Sequence, residues 1–315
     1  MDKTSPLVYI LLVNWNAAEH TLACLTSLQS VSYSNYRVLI VDNASSDNSV
    51  DTIAAAYPNA TLLRLPRNLG FTGANNIGFQ YALERGADFV YLLNTDTWVD
   101  PGFLTQAIIT AAASPSIGIV GSKVFHAARP DRLQFAGGHV NLTTGYNGRP
   151  FGYNQVDHGQ YDHITNVDWV TGCAMMVSRA CLQAINGFDD TFFAFHEDVD
   201  LCLRARATGF RVVMSSQSHV WHMGGGSTGG AVSALHIYYD VRNGLRLVQK
   251  HKPARNKALL LLRVGSIIGA HTLQVLLSGP TRTTLSAVIS GVRDYYCGAT
   301  GVTYSSTAST SRGMM

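Results

Sequence analysis

The chain has 315 residues, enough for one large domain or two smaller ones, and its 46% hydrophobic content excludes a disordered chain. Its net charge of +3 conceals an asymmetry: residues 242–315 hold ten Lys/Arg and one acid, whereas residues 1–241 hold thirteen Lys/Arg and nineteen Asp/Glu. A basic tail on an acidic body points to an anionic partner, nucleic acid or phospholipid, and five scattered cysteines without a CxxC pair argue against a zinc ribbon or disulfide framework. Residues 7–13 form an apolar run too short for a signal-peptide core, which predicts a buried first strand and a cytoplasmic protein with reduced thiols. A polar helix pattern over 17–30 follows. The second apolar run, 37–41, ends abruptly in Asp42-Asn43-Ala44-Ser45-Ser46-Asp47. A helix over 49–57, a strand over 61–65, a glycine-punctuated helix near 73–85 and a strand over 89–93 complete the rhythm, the last ending in Asn94-Thr95-Asp96. Apolar runs separated by helices predict an α/β fold with a parallel sheet, which binds ligands at the carboxyl ends of its strands.

From residue 117 the rhythm changes. A strand over 117–125 leads into hairpins and loops over 136–159, and 167–177 is apolar again. A helix is expected over 197–208, a strand over 211–214 and a glycine-rich loop over 219–230. From 233 onward the chain reads as helical, including 238–251 and the apolar 258–277, which Arg263, His271 and Gln274 interrupt. That segment is long enough to span a bilayer, but an interior arginine is costly there. A helix lying on the membrane surface fits better, with Lys250, Lys252, Arg255 and Lys257 meeting anionic lipid. An ordinary helix packed on the body is the alternative.

Polar groups close three of the predicted strands: Asn14-Trp15-Asn16, Asp42-Asn43 and Asn94-Thr95-Asp96. Each alone reads as a turn; together they suggest a site, where a carboxylate accepts a base or ribose donor and an indole packs on a ring. Asp96 suits a divalent cation that also binds phosphates, since Asp100-Pro101 is at hand to open the next helix. The glycines of 67–78 match neither GxGxxG nor a P-loop, and NWNA follows the first strand, so a dinucleotide oxidoreductase lacks its fingerprint. Close helix packing at Gly73 and Gly78 is the plainer reading. In FHEDVDLC (195–202), Asp200 stands where a zinc-protease motif needs histidine. Acids at a helix start suit the macrodipole, which accounts for Asp200. Phe192, Phe193 and Phe195 would dry a pocket and make a neighbouring carboxylate a better base. His222, beside a glycine run, reads as a metal or phosphate ligand on a closing lid, or as part of a solvated loop.

Taken together, VNWN (13–16), VDNASSDNS (41–49), RNLGFTGANNIGF (67–79), LLNTD (92–96), WVTGCAMMVSR (169–179), GFDDTFFAFHEDVDLCLRARATG (187–209) and HMGGGS (222–227) resemble the family 2 inverting glycosyltransferases, particularly their bacterial rhamnosyltransferase-like branch. The resemblance implies a GT-A fold, Rossmann-like with a mostly parallel central sheet flanked by helices. It implies a catalytic domain over 1–230, with nucleotide-sugar and acceptor halves meeting near 115, and a basic helical region over 231–315. Asn14, Trp15, Asn16, Asp42 and Asn43 would line base and ribose, with Asn68, Gly73, Asn75, Asn94 and Thr95 along the nucleotide sugar. The family's metal motif has an aspartate where Asn94 stands, so Asp96, with His222, is left to hold Mg²⁺ or Mn²⁺. Asp198 would be the general base, Glu197 would orient the acceptor, and Trp169 and Gly172 would shape the cleft. The implied partners are a nucleotide-sugar donor, foremost dTDP-rhamnose ahead of a UDP-hexose or UDP-galactofuranose, and a saccharide or lipid-linked saccharide acceptor for cell-surface polysaccharide. No nucleic acid is implied, and the inner face of the cytoplasmic membrane is the implied place of work. His196 has no role on sequence grounds.

Overall fold

The first strand is apolar on both faces, and both faces are covered: Val8, Ile10 and Leu12 on one and Tyr9 and Leu11 on the other are all buried. The computed structural model describes residues 5–143, 147–163, 166–224, 233–277 and 282–301. Strands β1 (Val8–Asn14), β2 (Tyr36–Asp42), β3 (Thr61–Arg64) and β4 (Phe89–Leu93) alternate with helices α1 (Ala18–Leu28), α2 (Ser49–Ala56) and α3 (Gly70–Glu84). They pair in parallel in the order β3-β2-β1-β4, as buried runs joined by helical crossovers require. Gly78 lets α3 close onto the sheet, since a Cβ there would stand 2.4 Å from Leu11 Cδ1.

The chain continues through β5 (Thr97–Val99), α4 (Phe103–Ala112), β6 (Ile117–His126), β7 (Arg129–Phe135), β8 (Gly138–Asn141), β9 (Asn147–Pro150), β10 (Ala174–Ser178), α5 (Arg179–Ile185), α6 (Glu197–Ala207) and β11 (Arg211–His222). Strand β10 inserts antiparallel between β4 and β6, and β11 runs parallel to β6 with β5 antiparallel at its far edge. The sheet is therefore mixed: the first four strands are parallel, as expected, but β10, β5 and β7 pair antiparallel with their neighbours. Strand β11 is longer than its apolar start suggests, and His219–His222, expected in a loop, belong to it. A register shift between Ser215 and His219 breaks the alternation, and the serines there are buried rather than solvated. Ser218 Oγ donates to the Phe103 carbonyl at 2.8 Å. Residues 225–230 of the proposed lid lie outside the described residues.

The contacts divide the chain into two units: residues 1–139, 149–189 and 197–224 form the first, and 140–148, 190–196 and 225–315 the second. The second contains α7 (Ala234–His251), α8 (Lys257–Leu277) and α9 (Arg282–Tyr296), with Tyr238, Val241 and Val288 in its core. The segment 190–196 packs with these helices. The rings of Phe193 and Phe195 stack on Tyr239, with centroids 5.5 and 6.3 Å apart, and Phe192 is fully buried beneath the Arg246 guanidinium. These rings serve the second unit's core, which corrects the expectation that they dry a pocket around Asp198.

His196 finds a role in the same unit. Its Nε2 lies 2.6 Å from Asp240 Oδ1, and His271 Nε2 lies 2.6 Å from Asp240 Oδ2. The other ring nitrogen of His271 faces the Ile267 carbonyl at 2.8 Å, so both of its nitrogens have acceptors and the imidazolium is favoured. Burial opposes charge on both partners, but the histidine charges and hydrogen bonds outweigh it and hold Asp240 well below its ordinary 3.8. His271 is raised above 6.5, burial being outweighed by Asp240 and the Ile267 carbonyl. A raised histidine stabilises fully below its unfolded pKa and loses that contribution as pH climbs through the folded value; the depressed aspartate loses its own only in acid. The thermal midpoint should therefore fall as pH rises from the imidazole range into the alkaline range. In His271→Gln that fall should be smaller, as read by circular dichroism across the two buffers.

Candidate active site

Asn14 and Asp42, partners in register at the ends of β1 and β2, are both buried and bonded to each other. Asn14 Nδ2 donates to Asp42 Oδ1 at 2.8 Å, and Asp42 accepts the Ser45 hydroxyl at 2.6 Å and the Ser45 amide at 3.0 Å. Asn43 reaches sideways: its Oδ1 accepts the Leu69 amide, and its Nδ2 donates to Asn68 Oδ1 at 3.0 Å. These side chains fix the loops after β1 and β2 against the start of α3. Trp15, 40% exposed, stands outward from that frame, whereas Asn16, at φ 51°, is tied into it: its Oδ1 accepts the Ser46 amide at 2.8 Å. Gly73 and Asn75, expected along the nucleotide sugar, are turned inward. A Cβ on Gly73 would meet Leu69 Cβ at 2.7 Å, and Asn75 Nδ2 donates to the Phe71 carbonyl of its own helix at 2.8 Å. Both are buried within α3.

At the end of β4 the structure brings together Asn94, Asp96 and His222. His222 Nε2 lies 3.1 Å from Asp96 Oδ1 and 3.3 Å from Asn94 Nδ2, while its Nδ1 faces Gln134 Oε1 at 2.7 Å. Gln134 Oε1 can only accept, so Nδ1 carries a proton and Nε2 is the nitrogen that turns to the carboxylate. With Nε2 unprotonated, two acceptors face each other, an arrangement that a proton or a cation must hold together. Burial pushes the Asp96 carboxyl up, but the hydrogen bond and charge of His222 outweigh it and lower the pKa below its ordinary value. A carboxylate and an oriented imidazole, with phosphates completing the shell, form a donor set that Mg²⁺ or Mn²⁺ accepts. Among the described residues no cluster of three or more His, Cys, Asp or Glu could hold a metal, so any ion here leans on its substrate. Thr95 is buried, and Asp100 caps the turn into α4 by accepting the Gly102 amide at 2.8 Å.

Asp198 stands on the first turn of α6. Its Oδ2 accepts the Gly172 amide at 3.1 Å and its Oδ1 the Val199 amide at 2.8 Å. The next carbonyl along from Gly172, that of Cys173, accepts the Asn94 amide at 3.0 Å. The dipeptide Gly172-Cys173 thus joins the strand end that carries Asp96 to the helix start that carries Asp198, and the thiol of Cys173 senses both charges. A Cβ at Gly172 would meet Phe71 and Asp198 only at ordinary contact distances, 3.4 and 3.6 Å. The protein itself does not demand glycine there.

Glu197 is buried, and its Oε2 has no hydrogen-bond partner. Burial first, then the charges of Asp198 and Asp200, hold its carboxyl well above the usual range. A carboxylic acid kept neutral in this way can donate a hydrogen bond. The indole Nε1 of Trp169, whose ring lies 4.8 Å from that of Phe135, is likewise buried and unpartnered. Asp200 is more than a helix-start charge: fully buried, it binds Arg204 Nε at 2.7 Å, and Arg204 also donates to the carbonyls of Ile185 and Gly187 after α5. Reading the sequence missed Arg204, Gln134 and Cys173. Arg204 alone carries a signal, the i,i+4 spacing from Asp200.

A family model described as "Glycosyltransferase like family 2" matches residues 5–236. The N-acetylglucosaminyl-diphospho-decaprenol L-rhamnosyltransferase of Mycobacterium tuberculosis is 26% identical over 236 residues, covering 70% of this chain and 77% of that protein. Among solved structures, the mannosyltransferase PcManGT from Pyrobaculum calidifontis, in complex with GDP-Man and Mn²⁺, superposes with a TM-score of 0.60 at 13% identity, covering 93% of this chain and 88% of that one. TarS of S. aureus with UDP-GlcNAc gives 0.58 at 15% identity, covering 93% and 81%. At these identities the structural likenesses show the shared fold.

Proposed function

The chain belongs to glycosyltransferase family 2, and on that premise we propose that it moves L-rhamnose from dTDP-rhamnose to a lipid-linked saccharide, with inversion at the anomeric carbon. The observation that carries the reading is the Gly172-Cys173 bridge, bonded to Asn94 on the Asp96 side and to Asp198 on the other. A divalent ion held by Asp96 and His222 would neutralise the nucleoside diphosphate as it departs. Asp198 takes the proton from the acceptor hydroxyl as that oxygen attacks the anomeric carbon. The Gly172 and Val199 amides steady the carboxylate. Glu197 and Trp169 offer unpartnered buried groups that would orient the acceptor. Trp15 supplies the exposed ring for the base, on a frame set by Asn14 and Asp42.

Rhamnose is favoured by the relative in M. tuberculosis, whose name also specifies a prenyl-diphosphate acceptor. A UDP-hexose or UDP-galactofuranose donor would use the same chemistry. A panel of nucleotide sugars, assayed with Mn²⁺ for release of nucleoside diphosphate, is expected to single out dTDP-rhamnose. Release from none of them rejects the reading. In thermal-shift titrations with Mn²⁺, nucleoside diphosphates should stabilise the protein and NAD should not. Asp96→Asn should weaken the Mn²⁺-dependent part of that binding by at least the about 10–100-fold typical of losing an outer-shell metal partner, leaving metal-free binding unchanged.

A further inference from the structure

Helix α8 is long and apolar enough to cross a membrane; Val264, Ile267 and Val275 pack into the second unit's core, Arg263 and His271 also face inward, and five of its leucines face solvent. Arg263 is 2% exposed; its Nε donates to the Thr143 carbonyl at 2.9 Å and its guanidinium also bonds the Lys252 carbonyl. Eight residues on, His271 binds Asp240. Two residues that argued against a membrane span, Arg263 and His271, are therefore satisfied inside the second unit. The outward face carries Leu261, Leu262, Leu273, Leu276 and Leu277, each more than half exposed. Between them, among the residues whose burial is described, Gly265, Ser266, Gly269 and Ala270 are open to solvent. No charge interrupts this face from Ala258 to Leu277, and Ile289 of α9 adds an exposed apolar side chain to the same unit. An uninterrupted apolar face of this length marks a contact surface.

Charge selects the occupant. Lys252, Arg255 and Lys257 are exposed and lead directly into the helix. The second unit contains three carboxylates, Asp190, Asp240 and Asp294; Asp240 is bound by histidines, and Asp294 by Tyr238 and Arg293. A second copy of this surface would meet those cations with few free acids, whereas an anionic lipid surface complements them. We propose that α8 docks in the plane of an anionic phospholipid membrane, with its leucine face in the acyl boundary and Lys252, Arg255 and Lys257 among the headgroups. Docking lengthwise rather than across follows from Arg263 and His271, which fasten the helix to its own unit near both ends. The proposal deepens the transferase reading, from which it takes only its purpose: an acceptor carried on lipid is reached from the membrane surface.

The test is flotation of the full-length protein with vesicles of three parts phosphatidylcholine to one of phosphatidylglycerol. Leu262→Glu/Leu273→Glu should weaken binding about 100-fold, because two side chains leave the acyl boundary. Arg255→Glu/Lys257→Glu should weaken it about tenfold on these vesicles and leave pure phosphatidylcholine unaffected. Unchanged thermal midpoints would show both variants folded, as expected for exposed positions. The proposal is overturned if the wild type ignores both vesicle types, or if the leucine variant binds as the wild type does. It is equally overturned if light scattering shows a dimer that the leucine variant converts to a vesicle-binding monomer, since the face would then join two copies. Sugar transfer to a soluble acceptor is measured alongside. Vesicle binding without transfer from any donor leaves this proposal standing and removes the transferase reading, and transfer without vesicle binding does the reverse.

Discussion

Asp198→Asn is expected to lower kcat by about 10²–10⁴-fold, the usual contribution of a general base, and to leave donor affinity essentially unchanged. An amide cannot take the acceptor's proton, whereas in the proposed reading the donor would be held from the strand ends that carry Trp15 and Asp96. The substitution also has a structural consequence. Asp198 now accepts two backbone amides, from Gly172 and Val199, with different oxygens. Asparagine has one carbonyl oxygen, so one of these amides loses its partner at a cost of about 1–3 kcal/mol. A lowered thermal midpoint with intact nucleotide binding and abolished transfer is the expected combination, measured by thermal shift, titration calorimetry and product release. Near-normal transfer would remove Asp198 from the base role. Loss of nucleotide binding along with transfer would mean that the Gly172-Cys173 bridge had collapsed, so Asp198→Ala and Gly172→Ala serve as controls. The latter adds a methyl group that the site accommodates at ordinary contact distance.

The parts of the fold that were readable from sequence are those where one physical signal dominates. Continuous apolar runs ending in polar clusters identified β1, β2 and β4, because a strand covered on both faces has no solvent side on which to alternate. Strand β11 hid its second half because its buried Ser218 bonds the Ser122 hydroxyl of β6 and the Phe103 carbonyl, a pairing invisible along the chain. The same distinction runs through the site. Asp96 and His222, read from sequence as neighbours, stand 3.1 Å apart, but Gln134, which sets the imidazole tautomer, comes from β7 and has no local signature. Gly73 and Asn75 looked like ligand contacts because small and polar residues suit either a phosphate or a tightly packed helix. Arg263 was read as a misfit in an apolar helix; its partners at Thr143 and Lys252 depend on tertiary placement. The phenylalanines of 192–195 were recognised as unusual and given the wrong neighbour.

Asn243→Ala is expected to be the most damaging substitution outside the reacting groups, with a loss of about 3 kcal/mol in urea unfolding and a marked fall in kcat. Asparagine is a poorer helix former than alanine, so within α7 the change should by itself be mildly stabilising. Any loss must come from what the side chain holds. Asn243, fully buried, donates to the carbonyls of Phe192, Ala194 and Phe195 at 2.9, 2.6 and 2.8 Å. Phe193, Phe195 and His196 sit at φ 67°, 68° and 66°, a region that costs non-glycine residues about 1–3 kcal/mol each. Arg242 shares the Phe192 carbonyl at 2.8 Å, but among the hydrogen bonds described here only Asn243 holds those of Ala194 and Phe195. Without it two buried acceptors lose this donor and the strained turn is free to relax. That turn runs straight into Glu197 and Asp198, so its relaxation should misplace the proposed base without touching the strand ends proposed to hold the nucleotide. Titration calorimetry should therefore find Mn²⁺-dependent nucleotide affinity preserved while turnover falls. Asn243→Asp should not rescue either property, because a carboxylate can only accept. If the alanine variant unfolds early but turns over normally when folded, Asn243 is a packing residue alone, and the path from this turn to Asp198 carries no positional information.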